Sequence, residues 1–273
     1  MPELPEVETI CCGLRAALLG KIIKSVAVNR RDLRQMIPED LGILATGCSI
    51  AAIDRRAKYI LILLSNNHHL VVHLGMSGRL VLFSHNYTPR KHDHVVIHLN
   101  DGSSLVYNDP RRFGLLNIIP SDAVATHKLF ANLGIEPLSD AFTANALYAI
   151  LKGKKANVKS VIMNQEHIVG VGNIYACESL YMAGISPLRN ASEVSVQEAS
   201  LLHSSICQVL RSAISAGGSS LRDYVDASGN AGGFQNNFSV YGRDNQICIR
   251  CSGMIIRTKQ QGRSSFHCDS CQS

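Results

Sequence analysis

The sequence predicts an α+β protein of two domains, strand-rich and then helical, closed by a small cysteine module. Three observations lead there. Short apolar runs punctuated by turn residues fill the first half. Helical periodicity replaces them from about Ala123. Two Cys-x2-Cys pairs, Cys248/Cys251 and Cys268/Cys271, stand at the end.

The elements follow in order. Val7, Ile10, Cys11, Leu14 and Leu18 recur at helical spacing, with Pro5 suited to a first turn and Gly20 to a stop. Glu6 and Glu8 favour the positive end of that helix. Tyr59–Leu64 and Leu70–Leu74 read as strands around the turn Ser65-Asn66-Asn67. Val95–Leu99 and Leu105–Tyr107 flank Asn100-Asp101-Gly102, a hairpin signal. Several short strands within about 100 residues suggest a sandwich or a barrel. Leu147–Leu151, Val158–Met163, Ile174–Ala183 and Ser195–Ala216 carry helical patterns. Gly, Pro and Ser gather between Gly134 and Ser139, which places the boundary there and gives domains 1–134, 135–238 and 239–273. A Gly/Asn-rich stretch, Ser228 to Asn237, precedes the cysteine module, and no internal repeat is visible.

The 273 residues, 46% hydrophobic, suffice for a substantial core. Lys plus Arg number 27 against 21 acids, for a net charge of +6. That balance suits a polyanionic partner but is shared by many proteins without one. Arg55, Arg56 and Lys58 sit together, as do Arg90, Lys91 and His92, then Arg111 and Arg112, then Lys152, Lys154, Lys155 and Lys159. The tail adds Arg243, Arg250, Arg257, Lys259 and Arg263 against Asp244 alone. Any one cluster reads as a solvated face, whereas the set points to a common anionic track. Glu3, Glu6 and Glu8 are wrong for a signal peptide, and Tyr59–Leu64 is far too short to span a bilayer, so no membrane partner is expected. Nine Cys, an odd number with four clustered, match the usage of a reducing cytoplasm.

The spacing Cys248-x2-Cys251, sixteen residues, Cys268-x2-Cys271 falls in the range of a four-thiolate zinc site. Four thiolates close the tetrahedron, so one structural Zn2+ is expected, and its binding should supply the module's folding energy. His267 is then a bystander. Met1-Pro2-Glu3 opens a second possibility. Removing Met1 would leave Pro2 with a free secondary amine, whose class titrates near pH 8 against about 10.4 for Lys. Such an amine attacking a sugar C1′ gives an iminium, an electron sink for phosphate elimination, with Glu3 and Glu6 beside it as acids. On these residues alone the plainer reading prevails: Met-Pro-Glu starts are common, and the acids merely favour a helix start.

MPELPEVET at the start, RRAKY at 55–59, HLGMSGRL at 73–80, KHDH at 91–94, DPRRFG at 109–114, GVGNIYACESL at 170–180, QGRSSF at 261–266 and the four terminal Cys together resemble the formamidopyrimidine-DNA glycosylase family, from first residue to last. The MPELPEV start resembles this branch more than the endonuclease VIII branch, which prefers oxidised pyrimidines. The resemblance implies an N-terminal β-sandwich flanked by helices, a helix–two-turn–helix domain and a zinc-finger β-hairpin, with DNA in the cleft between. It implies a monomeric base-excision repair glycosylase/lyase that removes 8-oxoguanine and formamidopyrimidines from double-stranded DNA and also acts at abasic sites. Pro2 matches the Schiff-base nucleophile, Glu3 the acid for base loss, and Glu6 a supporting acid. Lys58 matches the lysine of β-elimination, and Arg263 the zinc-finger arginine of δ-elimination. His92, Arg111, Lys154 and Asn173 match DNA contacts. Met76, Arg111 and Phe113 match the wedge that fills the gap left by a flipped nucleotide. Ser228–Asn237 matches a lid over the flipped base, within a loop spanning 217–237.

Overall fold

The computed structural model describes residues 1–85, 87–220 and 224–273. The chain divides into two compact units, Met1–Ala131 with Ala216–Gly233, and Asn132–Ser215 with Phe234–Ser273.

The first unit opens with helix α1 (Leu4–Leu18), where Pro5 lies in the first turn. Strands β1 (Ile23–Val28), β2 (Ile50–Arg56), β3 (Tyr59–Leu64), β4 (His68–His73), β5 (Arg79–Phe83), β6 (Asp93–Leu99), β7 (Ser104–Asn108) and β8 (Leu115–Pro120) follow, with a short helix α2 (Leu41–Ala45) after β1. They form two four-stranded sheets, ordered β1-β6-β7-β5 and β2-β3-β4-β8, and every paired neighbour is antiparallel. One apolar cluster joins Ile53, Ile60, Ile62, Leu70 and Val72 of one sheet to Val95, Ile97, Leu105 and Tyr107 of the other. That shared core makes the unit a sandwich. Val7, Ile10, Cys11, Leu14 and Leu18 of α1 enter the same cluster, and each fully buried aliphatic side chain contributes about 1.5–3 kcal/mol. Cys11 packs there as a small hydrophobe, and burial pushes its thiol up to about 12. The expected turns are present: Asn67 (φ 61°) closes β3–β4 and Gly102 (φ 86°) closes β6–β7.

The second unit carries α3 (Ala144–Leu151), α4 (Val158–Ile162), α5 (Asn173–Ala183) and α6 (Val196–Ser215). Thr143 and Asn157 cap α3 and α4 by accepting from the amides of Ala146 and Ser160. Gly184, at φ 74°, ends α5 in a left-handed cap. A hairpin of β9 (Ile255–Gln260) and β10 (Arg263–Cys268) closes the chain. Of the 217–237 loop, residues 221–223 lie outside the described residues. Within Ser228–Asn237, Phe234–Asn237 form a 3-10 turn. Among the described residues, no helix is long and apolar enough to cross a membrane.

Candidate active site and nucleic-acid interface

The first unit buries the chain start. Pro2, Glu3 and Glu6 are all buried, while Met1 is 52% exposed. Glu3 and Glu6 form a reciprocal capping box at the start of α1, with the Glu3 amide donating to Glu6 Oε2 at 2.8 Å. The other Glu6 oxygen accepts from the Ser219 amide at 2.8 Å and its hydroxyl at 3.0 Å. Glu6 therefore ties the 217–220 segment to the chain start. Gly218 (φ 77°) is needed there, because a Cβ would lie 3.1 Å from Glu6. The next acid along, Glu8, holds Arg15 at 3.0 Å and Arg55 at 2.9 Å, which fixes α1 to β2. Burial opposes ionisation of Glu8, yet the two guanidiniums hold its carboxyl below the ordinary value.

Lys58 lies in the tight two-residue turn between Arg56 and Tyr59, where Ala57 takes φ 53°. The Ala57 carbonyl accepts from Arg55 at 2.9 Å. Lys58 is buried, 7% exposed, rather than a solvated strand-end cation. His73 is buried as well and accepts from the Gly75 amide through Nδ1 at 3.1 Å. Burial, helped by the charges of Lys58 and Arg34, pulls the His73 imidazole down to about 4.

Met76, Arg111 and Phe113 lie on two adjoining loops and all three are exposed, so neither apolar side chain serves the core. The Arg111 guanidinium sits over the Phe113 ring, 4.7 Å from its centroid. The loops meet backbone to backbone: a Cβ on Gly75 would come within 2.4 Å of the Phe113 carbonyl carbon. Asp109, fully buried, holds both. Its carboxylate accepts from Ser77 Oγ at 2.6 Å, Gly114 N at 2.9 Å and Tyr107 Oη at 3.2 Å. Its amide donates to the His92 carbonyl at 3.1 Å, bringing His92 to the same corner. Asp109 stands in the DPRRFG motif, but sequence reasoning assigned it no role; a lone acid facing two Arg was the available signal. Ala57, His92, Arg112 and Gln261 all take positive φ, so the turns beside Lys58, His92, Arg111 and Arg263 carry left-handed, non-glycine backbone of the kind that clusters at working sites.

In the second unit a cavity of about 490 Å³ is lined by Lys154, Lys159 and Arg263 with Asn164, His167 and Gln261. Lys154 and Arg263 are exposed, and Arg263 begins β10 beside a two-residue tip, Gln261 and Gly262. Lys159 departs from the expected surface cluster: it is 3% exposed and donates to Ser264 O at 3.1 Å and Ser265 Oγ at 2.6 Å. Asn173 opens α5 as expected, and its Nδ2 donates to the same Ser264 carbonyl at 2.9 Å. Glu178, buried in α5, accepts from the amides of Ser239, Val240 and Tyr241 at 2.9, 3.0 and 2.8 Å. Burial raises its carboxyl against those three bonds. Neither Lys159 nor Glu178 was distinguished by sequence, since their inward orientation follows from tertiary packing.

The four clustered cysteines come together. Their sulfurs lie within 4.8 Å of one another, with Cys248···Cys271 at 3.7 Å and Cys251···Cys268 at 3.5 Å. A tetrahedron with zinc–sulfur bonds of about 2.3 Å needs sulfurs about 3.8 Å apart, so the donor set fits a structural zinc ion. The Arg250 amide donates to Cys248 Sγ at 3.4 Å, and the Tyr181 hydroxyl lies 3.3 Å from the same sulfur. His267 is buried next to Cys268 but stands apart from the cluster, its Nε2 3.1 Å from Asp269.

The family model described as the formamidopyrimidine-DNA glycosylase N-terminal domain matches residues 1–116. The model described as that family's H2TH domain matches residues 133–225. The chain is 45% identical over 282 residues to formamidopyrimidine-DNA glycosylase of Cereibacter sphaeroides, and 46% identical over 273 residues to that of Wolbachia pipientis, with 100% of both chains covered in each case. Among solved structures, the MutM (Fpg) protein of Thermus thermophilus is similar at 36% identity and TM-score 0.89, covering 99% of this chain and 98% of that one. A Lactococcus lactis Fpg mutant complexed with Fapy-dG-containing DNA is similar at 33% identity and TM-score 0.93, with 100% of both chains covered. The L. lactis Fpg complexed with abasic-site DNA matches at 32% identity and TM-score 0.92, covering 99% of each chain. With two family models in sequence and relatives matched over their whole length, this chain belongs to the formamidopyrimidine-DNA glycosylase family.

Proposed function

We propose that the protein is a base-excision repair enzyme that removes oxidised purines from double-stranded DNA and then cleaves the backbone. The carrying observation is the chain start, where Pro2 is buried and the next residue, Glu3, caps α1 in a capping box with Glu6. The relatives solved with Fapy-dG and abasic-site DNA support the substrate class. The 1–134 domain supplies the nucleophile, 135–238 the helix–two-turn–helix, and 239–273 the zinc finger.

Removal of Met1 frees the Pro2 nitrogen, whose lone pair attacks C1′ of the damaged nucleotide. The N-glycosidic bond breaks with its electrons passing to the base, which leaves protonated. The Pro2 nitrogen then gives up its proton, the C1′–O4′ bond opens with Glu3 protonating O4′, and the nitrogen lone pair forms the C1′ iminium. Loss of a C2′ proton to a base sends its electron pair into the iminium, and the resulting enamine expels the 3′ phosphate as C3′–O3′ breaks, with Lys58 as the proton-handling group. Arg263 supports loss of the 5′ phosphate, which leaves a one-nucleotide gap. Glu6 holds Glu3 and the 217–220 segment in place. The exposed Met76, Arg111 and Phe113 occupy the space vacated by the flipped nucleotide, which costs a few kcal/mol to extrude. His92, Lys154 and Asn173 engage phosphates, and the lid segment covers the base. A bound zinc ion would be held by Cys248, Cys251, Cys268 and Cys271, and would supply folding energy to the hairpin that carries Arg263.

Borohydride trapping on 8-oxoguanine and abasic-site duplexes tests this reading. The mature protein should form a covalent adduct that is lost in Pro2→Gly. An active preparation whose mass retains Met1, or trapping that survives Pro2→Gly, would refute the nucleophile. A thymine glycol duplex processed faster than 8-oxoguanine would overturn the purine assignment.

A further inference from the structure

We propose that Lys159 is a positioning residue for Arg263, an inference that rests on the phosphate role given to Arg263 above. Lys159 lies in α4 and is almost fully buried. Burying an ammonium costs several kcal/mol of solvation unless its protons are satisfied. A methionine would fill similar volume without that cost, so the charge calls for a reason.

The reason is where its protons go. They reach the two residues immediately after Arg263: the carbonyl of Ser264 at 3.1 Å and the hydroxyl of Ser265 at 2.6 Å. The hydroxyl passes the constraint on to Gln260, which pairs with Arg263 across the hairpin. The Gln260 amide in turn donates to the Pro187 carbonyl at 3.0 Å. Asn173 donates to the same Ser264 carbonyl at 2.9 Å, and Arg257 Nε to the Ser264 hydroxyl at 2.9 Å. The first residues of β10 are thus held from α4, from α5 and from β9. Beyond them only Gln261 and Gly262 turn the hairpin tip, both at positive φ. The Arg263 side chain extends from this anchored point into the cavity that Lys154 also lines. Lys159 therefore acts on the reaction through the placement of a neighbouring backbone, where a shift of about 1 Å can cost about 100-fold.

The test uses the full-length, zinc-loaded enzyme on an abasic-site duplex, resolving β- from β,δ-elimination products. In Lys159→Met, δ-elimination should fall about tenfold further than β-elimination, with zinc content unchanged. Arg263→Ala should show the same skew, and the double variant should be no worse than Arg263→Ala alone. Ser265→Ala, which removes one acceptor and keeps the fold, should move the product ratio in the same direction by less. A wild-type product ratio in both Lys159→Met and Ser265→Ala, with Arg263→Ala impaired, overturns the positioning role alone. An Arg263→Ala enzyme with a normal ratio overturns the role given to Arg263, and this proposal with it. Equal loss of both steps together with zinc loss would make Lys159 merely structural and overturn the proposal too.

Discussion

His73 shows how a single side chain carries a pH dependence. Its folded value of about 4 lies below the ordinary 6.5 of an unfolded chain. As pH falls, the unfolded state takes the proton first, so this stability contribution is lost between about 6.5 and about 4, by up to about 3 kcal/mol. His73→Asn keeps an acceptor for the Gly75 amide and removes the titration. Its thermal midpoint should therefore fall less than that of the wild type between pH 7 and 5, as calorimetry would show; parallel curves would exclude His73 as the source. Residue chemistry was the part most legible in sequence. Cys248, Cys251, Cys268 and Cys271 were readable from spacing alone, because metal geometry dictates it. The burial of Lys58 was not legible, since nothing in RRAKY reveals that a lysine at a strand end is buried.

At the level of elements, periodicity foretold α1 and the helices of the second half, and turn chemistry foretold the β3–β4 and β6–β7 connections. The pairing of β1 with β6 and β8 with β4 was not legible, because strand order is decided by distant partners. Nor was the clasp between α5 and the 239–241 segment, where one buried carboxylate gathers three consecutive amides. Glu178→Gln would keep one oxygen for Val240 and Tyr241 but set amide protons against the Ser239 donor. It should cost the second unit about 1–3 kcal/mol and expose amides 239–241 to hydrogen exchange. Unchanged protection there would refute the clasp.

For the whole molecule, the zinc module and the cationic surface should respond together. On the function proposed above, a chelator or Cys248→Ser should unfold the β9–β10 hairpin and weaken DNA binding and strand cleavage while leaving the sandwich intact. Filter binding beside near-UV circular dichroism would check this, and full activity in a zinc-free preparation would contradict it. The first unit is discontinuous, with residues 216–233 returning to it after a long excursion. Ser219 reaches Glu6 across 213 positions. Glu6 and the strands emerge early from the ribosome, yet the Ser219 that binds Glu6 arrives only once most of the chain has been translated. Nascent chains stalled before residue 216 are thus expected to carry a formed sandwich and an unfinished chain start, so the surroundings of Glu6 are completed late.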